Sequence, residues 1–372
     1  MTDISIILPT YNRSGPLHHT LEALNRCDCS GFSVQLIVID NCSTDDTARV
    51  AAGWVERLAV ARGAMKMEYV FESRPGKNHA VNTGLARARG ELVVFTDDDV
   101  TPVSGWLRQY VWAMRSRPDR NVFCGSVVTP MPEYLKPAVV NSVSCCNFVP
   151  DPATEDLPDE DLPLGANYAV RRDVLQTHPN LFDPVYGPKG KTCIAGDETA
   201  ALTALVKMGH RIVYVRGAEV LHRVSPDYFT LSALCRKAFQ QGRGHALITR
   251  FGSNSQKLFD VPKFLVPMFC KDLAQAGVGL IAGNRPRALY GLFHAFRVAG
   301  VAYEWRHSIA AAERSEKLVV AAGTDTGIYV SDAPVRVTVS PHTSSGAADQ
   351  QAGTYESDRP RESVAAVREG EG

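Results

Sequence analysis

Three consecutive carboxylates, Asp97, Asp98 and Asp99, stand at the end of the apolar run Leu92-Val93-Val94-Phe95 in "ELVVFTDDDVTP". A run of β-branched and aromatic residues without polar alternation predicts a strand buried on both faces. Two like charges ~4 Å apart repel by ~4 kcal/mol at an effective dielectric of ~20, so a positive group is expected to share the space. The competing reading is an acidic turn facing water. Further along, Asp197-Glu198 opens a helix-like stretch in "GDETAAL", and His222 follows an apolar run in "EVLHRVSP". Carboxylates in a first helical turn also suit the helix dipole, and a lone histidine is often a structural hydrogen-bonder. Arg236, Lys237, Arg243 and Arg250 mark "RKAFQQGRGHALITR" with no acid among them. Arg236 and Arg243, seven apart, share a helix face, which suits either an anionic ligand or a membrane surface.

The elements that position these groups alternate. "ISIILP", "VQLIVID", "KMEYVF" and "ELVVFT" read as strands, and the stretches 17–25, 45–59 and 78–90 between them read as helices. That order predicts an α/β fold, a mostly parallel sheet with crossover helices, whose ligands bind beyond the carboxyl ends of the strands. Those ends carry "PTYN", Asp40-Asn41, "ESRPGK" and "DDD". From about residue 121 the alternation fades into strand-like "NVFCGSVV", the Pro- and acid-rich loop "VPDPATEDLPDEDLP", the segment "LGANYAVRRDVL", a helix opening at Asp197-Glu198, and "HRIVYVRGAEVLHRVSP", read as two short strands. Residues after about 331 are poor in bulky apolar side chains and read as a disordered tail.

The chain has 372 residues and zero formal charge, which argues against a nucleic-acid-coating protein. Its nine cysteines show neither zinc spacing nor a redox CxxC, and Met1-Thr2-Asp3 leads straight into a strand with no signal-like segment, so a reducing cytoplasm is expected. "FLVPMFCKDLAQAGVGLIAG" (264–283) is long and apolar but has Lys271 and Asp272 at its centre. Central charges cost ~2.5–3.5 kcal/mol each on insertion scales, so an interfacial helix against an anionic leaflet or a packed helical hairpin is expected rather than a span.

Neither common phosphate-cradling fingerprint, GxGxxG or GxxxxGK[ST], is present. The ordered set of "LPTYNR" at the first strand, an Asp ending the second, a basic-Gly loop after the third and "DDD" after the fourth resembles the family-2 glycosyltransferases, from about Ile4 to Arg243. The resemblance implies a GT-A fold, a Rossmann-like mixed, mostly parallel sheet flanked by helices, here followed by a helical extension and a tail. It implies a nucleotide-sugar-binding half over 1–120, an acceptor and catalytic-base half over 121–255, a helical, membrane-associating extension over 256–318, and the tail over 331–372.

The resemblance also assigns roles. Asp40 would bond the nucleotide base, with Pro9, Thr10, Tyr11 and Asn12 walling its pocket, and Arg74 and Lys77 would face base and phosphates. An acceptor-only carboxylate suits a base N–H, although an Asx-turn or N-cap role for Asp40 stays open. "TDDD" would be the family's DXD element, with Asp97 on the ribose, Asp99 on a divalent cation, Mg2+ or Mn2+, and Asp98 sharing these jobs or facing water. His222 would stand near the metal or diphosphate. The catalytic base would lie in Asp197-Glu198, whose order inverts the family's "ED" pair, so both residues stay open. Gly165, Ala166 and Asn167 would line the acceptor or donor-sugar side, or serve packing. The expected activity is inverting, metal-dependent transfer from a nucleotide sugar, a UDP-sugar by default, to a hydroxyl of a glycan or lipid-linked acceptor, in cell-surface or exopolysaccharide synthesis at the cytoplasmic face of the membrane. The rivals are a sugar nucleotidyltransferase, for which "PTYNRSGP" is a poor phosphate loop, and an inactive nucleotide-sugar-binding scaffold.

Overall fold

The computed structural model describes residues 2–61, 63–132, 146–189, 192–249 and 255–309. The expected disordered tail and the last part of the helical extension lie outside them. Strands β1 (Ile4–Thr10), β2 (Val34–Asp40), β3 (Met65–Phe71) and β4 (Leu92–Phe95) alternate with helices α1 (Ser14–Asn25), α2 (Thr47–Ala61) and α3 (Lys77–Leu85). They pair in parallel in the order β3-β2-β1-β4. The expected boundaries move by a few residues at helix ends, where local capping competes with apolar periodicity.

Strands β1, β2 and β4 are buried on both faces, their successive side chains pointing to opposite sides of the sheet, whereas the edge strand β3 is partly exposed. Ile6, Leu8 and Val94 meet a layer built on Leu17, Leu21, Trp54 and Trp106, whereas Ile7, Val93 and Phe95 meet Val81, Leu202 and Leu205. Full burial of one such side chain is worth about 1.5–3 kcal/mol of transfer free energy, so the continuous apolar runs are stable only as central strands.

After β4 the chain forms β5 (Val100–Pro102), α4 (Trp106–Ser116) and β6 (Val122–Val128), then β7 (Tyr168–Arg171), which runs into α5 (Arg172–Thr177). The short hairpin strands β8 (Gly187–Lys189) and β9 (Thr192–Ile194) precede α6 (Asp197–Lys207) and β10 (Ile212–His222). All but the hairpin join the same eight-stranded sheet, ordered β3-β2-β1-β4-β7-β6-β10-β5. β7 is antiparallel to both β4 and β6, and β5 is antiparallel to β10. The sheet is therefore mixed and mostly parallel and flanked by helices, as expected from the sequence.

The two short strands expected around "HRIVYVRGAEVLHRVSP" are a single strand. Along one edge β10 keeps the same partner, β6, on both sides of its interruption, which it absorbs as a bulge between Tyr214 and Glu219, where Gly217 takes φ +83°. A positive φ costs glycine nothing, so the strand bends without ending.

Helix α7 (Leu231–Thr249) follows, then the small hairpin β11 (Lys257–Leu258) and β12 (Val261–Pro262), and a pair of helices, α8 (Leu265–Ile281) and α9 (Arg285–Glu304). Asn284 caps α9 by accepting from Arg287 N at 3.1 Å, with proline in the first turn. Glycines set these helix crossings: a Cβ at Gly300 would lie 2.0 Å from Phe239 O, and one at Gly291 2.5 Å from Asp272 O. Among the described residues no helix is long and apolar enough to cross a membrane.

Arg243 of α7 donates to Glu304 of α9 at 2.6 Å, and Glu304 is 1% exposed. Removing one partner of a buried ion pair leaves the other uncompensated, so Arg243→Leu should destabilise the protein by about 3–5 kcal/mol. Adding Glu304→Leu should recover most of that loss in urea unfolding, and equal losses in the single and double variants would contradict this account.

Candidate active site

The ends of β1, β4 and β10 and the first turn of α6 border a cavity of about 820 Å³, a size typical of small-ligand sites. Asp97 and Asp99 lie in the turn from β4 to β5. His222 ends β10 and pairs with Val100 of β5, so strand pairing delivers the imidazole beside the carboxylates. The three side chains offer ligand atoms within 4.8 Å of one another, and His222 Nε2 stands 3.2 Å from Asp99 Oδ1. Two carboxylate oxygens and one imidazole nitrogen form a donor set that fits Mn2+ and, through its oxygens, Mg2+. Burial works against both charges, yet the hydrogen bond and attraction between the two groups outweigh it, aided by Arg13 and Lys77 at Asp99 and by Asp97 at His222. Asp99 is therefore held below 3.8 and His222 above 6.5.

Asp98 serves differently from its neighbours. It accepts from Thr10 Oγ1 at 2.7 Å and faces Arg13 Nε at 2.9 Å, while Arg13 Nη2 reaches Asp99 Oδ2 at 2.6 Å. Burial still pushes the Asp98 carboxyl up to about 7 despite Arg13. Arg223 pins the same turn, donating its guanidinium to Val100 O and Thr20 Oγ1, both at 2.8 Å, and its backbone N–H to Asp99 O at 2.7 Å.

Lys77 connects this cluster to a second one. Its Nζ lies 3.0 Å from Asp97 Oδ1 and 3.3 Å from Asp197 Oδ2. Burial opposes its charge, but the carboxylates of Asp197 and Asp97 prevail and hold the ammonium well above 10.5. Gly196 at φ +108° turns the chain into α6 so that Asp197 and Glu198 both line the cavity. A Cβ at Gly165 would stand 3.3 Å from Glu198 Cδ, so the glycine leaves room for that carboxyl. Burial, and then the charge of Asp197, push Glu198 up to about 8, whereas Lys77 outweighs burial and keeps Asp197 below 3.8.

Residues 5–161 match the family model described as glycosyl transferase family 2. That segment, under half of the chain, is similar to the family. Over 99 residues, 27% of this chain but 16% of the relative, the chain is 29% identical to the poly(ribitol-phosphate) beta-N-acetylglucosaminyltransferase TarS of Staphylococcus aureus. Glycosyltransferase AglE of Haloferax volcanii is 22% identical over 241 residues, 65% of this chain and 72% of that protein. Among solved structures, the mannosyltransferase PcManGT from Pyrobaculum calidifontis, in complex with GDP-Man and Mn2+, covers 86% of this chain and 80% of its own at 19% identity and a TM-score of 0.46.

The cavity gathers Pro9, Thr10, Tyr11, Lys77, the three aspartates, Asp197, Glu198 and His222, all expected from the sequence. Three other expected residues do not line it. Asp40 is 1% exposed, and its carboxylate accepts from Ser43 N and Tyr69 OH, both at 2.9 Å, which holds the turn after β2. Arg74 folds back in a bidentate pair with Glu72, and its hydrogen bonds hold that carboxyl down at about 2. Asn12, at φ 51°, uses Oδ1 to accept from Thr44 N at 2.6 Å, tying the first strand's turn to the second's.

Asn167 is fully buried. It donates to Ser126 O and Ala218 O and accepts from Trp106 Nε1 and Tyr110 OH, so packing is its role. Arg13 was not anticipated as a site residue, although "LPTYNR" contains it; the unbalanced charge of "DDD" was the available signal. Asn41 was likewise passed over. Its Nδ2 donates to Arg74 O and its Oδ1 accepts from Gly76 N, both at 2.7 Å, which sets the loop that presents Lys77.

Because folded Glu198 binds its proton up to about 8 rather than 4.5, the folded state holds more protons than the unfolded one in that window. Stability must therefore fall as pH rises through it. Glu198→Gln should give a shallower fall in melting temperature between pH 5 and 8, not a flat one, since Asp98, whose carboxyl is pushed up to about 7, loses its proton in the same range. An unchanged slope in the variant would contradict the assignment.

Proposed function

We propose that this chain is an inverting glycosyltransferase that moves a sugar from a nucleotide sugar, a UDP-sugar first among candidates, to a hydroxyl of a glycan or lipid-linked acceptor. The observation that carries the reading is the convergence of Asp97, Asp99 and His222 with the Asp197-Glu198 pair on one cavity. Asp97, Asp99 and His222 would hold Mg2+ or Mn2+, which when bound neutralises charge on the departing diphosphate.

The chain's own residues supply the rest. Tyr11, Asn41, Cys42 and Pro75 form the cavity wall beside β2 and give a nucleotide base a surface to lie on. Arg236 and Lys237 of α7 stand on the cavity wall, where they can attract the diphosphate. Asp197 is committed to Lys77 and held low, which makes it a weak base and a positioning group. Glu198 is the better proton acceptor, because a base whose pKa lies near the working pH combines availability with driving force. It takes the proton of the attacking hydroxyl as the oxygen bonds to the anomeric carbon and the nucleoside diphosphate leaves. The resemblance in sequence supports a role in cell-surface or exopolysaccharide synthesis, with the acceptor met at the cytoplasmic face of the membrane.

Turnover of UDP-sugar with acceptor should rise with pH towards about 8. Glu198→Gln should lower kcat by roughly 10²–10⁴ with donor affinity kept. Asp99→Ala should abolish the donor hydrolysis that divalent cation stimulates, and chelation of the wild type should do the same. Variants that hydrolyse donor like the wild type would overturn the mechanism, and metal-dependent nucleotide binding without turnover of any donor would indicate a scaffold.

A further inference from the structure

The helical pair α8–α9 carries a surface that the cavity does not use. One face of α8 packs inward through Leu265, Ala276 and Gly279. The flank of the helix beside that face presents Val266, Cys270, Leu273, Leu280 and Ile281 to solvent. These follow the i, i+4, i+7, i+14, i+15 spacing of a single stripe, with Gly277 at i+11. The apolar side chains on it are far from buried: Val266 is 50%, Leu280 71% and Ile281 90% exposed. A helix of this length carries the stripe for about 25 Å, longer than a scattered surface leucine would explain.

Charge selects what could cover it. Lys263, Lys271, Arg285 and Arg287 are exposed at the two ends and the middle of the helix. The described residues 255–309 hold only three acids: Asp260, Asp272, which is half-buried, and Glu304, which is taken by Arg243. An apolar stripe with a cationic rim suits an anionic lipid surface, where acyl chains receive the stripe and headgroups the rim. A second copy of the chain is disfavoured, because a two-fold contact would set two such cationic rims together.

We infer that the exposed face of α8 is a docking surface for an anionic lipid bilayer, lying in its interface without crossing it. This rests on the proposed encounter with acceptor at a membrane face and gives that encounter a surface. Helix α7, which lends Arg236 and Lys237 to the cavity wall, is locked to α9 by Arg243–Glu304, so a docked pair ties the cavity to the bilayer through one intervening helix.

Co-sedimentation of the full chain with phosphatidylcholine vesicles, with and without phosphatidylglycerol, tests this. Binding is expected only to the anionic vesicles and should weaken as salt is raised. Leu280→Glu combined with Ile281→Glu should abolish it, and Lys271→Gln should weaken it about fivefold. Because both substituted side chains point to solvent, the double variant should keep the wild-type melting temperature and the wild-type rate of donor hydrolysis in solution. Loss of vesicle binding with hydrolysis intact therefore separates the surface from the site. No binding by the wild type, equal binding to neutral vesicles, or binding untouched by the double substitution would overturn the inference. So would a dimer that the double substitution dissociates with no vesicle binding, since the face would then belong to a second copy.

Discussion

Five carboxylates, Asp97, Asp98, Asp99, Asp197 and Glu198, share one cavity with two cations, Arg13 and Lys77, placed directly against them. At an effective dielectric of ~20 each like-charge contact at ~4 Å costs ~4 kcal/mol, so not all five carboxyls stay ionised. The imbalance shows in two carboxyls pushed up, Asp98 to about 7 and Glu198 to about 8, chiefly by burial and further by their neighbours. Asp99 and Asp197, each with a cation or imidazole against it, are held low. On the proposed reading, a cation at Asp97, Asp99 and His222 would add positive charge beside Asp98, and Glu198 would act as the base.

The fold serves this arrangement by bringing chain segments far apart in sequence to one rim. β4 carries the aspartates there, β10 carries His222 to the same side, and β5 links them by pairing with β10. α3 opens with Lys77 and α6 with Asp197, so two helix starts face each other across the cluster. Lys77 is the mechanical link, since its ammonium touches the carboxylate of one group and the carboxylate of the other.

Much of the central sheet was legible because β1, β2 and β4 are apolar on both faces, a pattern that only a buried strand tolerates. β7 was harder to read: four residues inside "LGANYAVRRD" do not show which neighbours they pair with, and its antiparallel insertion between β4 and β6 depends on tertiary packing. β10 looked like two strands because Gly217 interrupts its pattern, and only its continuous pairing with β6 reveals one. At the site, motif order located the acids and the lysine but not their orientation. Arg74 and Asp40 find partners within a few residues or on the adjacent strand, and such local competition is invisible in a linear motif. Arg13 shows the reverse: the charge on "DDD" called for a cation, and the nearest one in the fold lies 86 residues away in sequence.

The central claim is that the acidic cluster exists to hold a divalent cation against a nucleoside diphosphate. The most direct measurement is Mn2+ binding followed by electron paramagnetic resonance, with and without UDP, in the wild type and in Asp97→Asn, Asp99→Asn and His222→Ala. The account predicts one site per chain, tightened by UDP and lost or severely weakened in all three variants, with Glu198→Gln binding as the wild type does. Mn2+ affinity that is absent, or indifferent to those three substitutions, would contradict it.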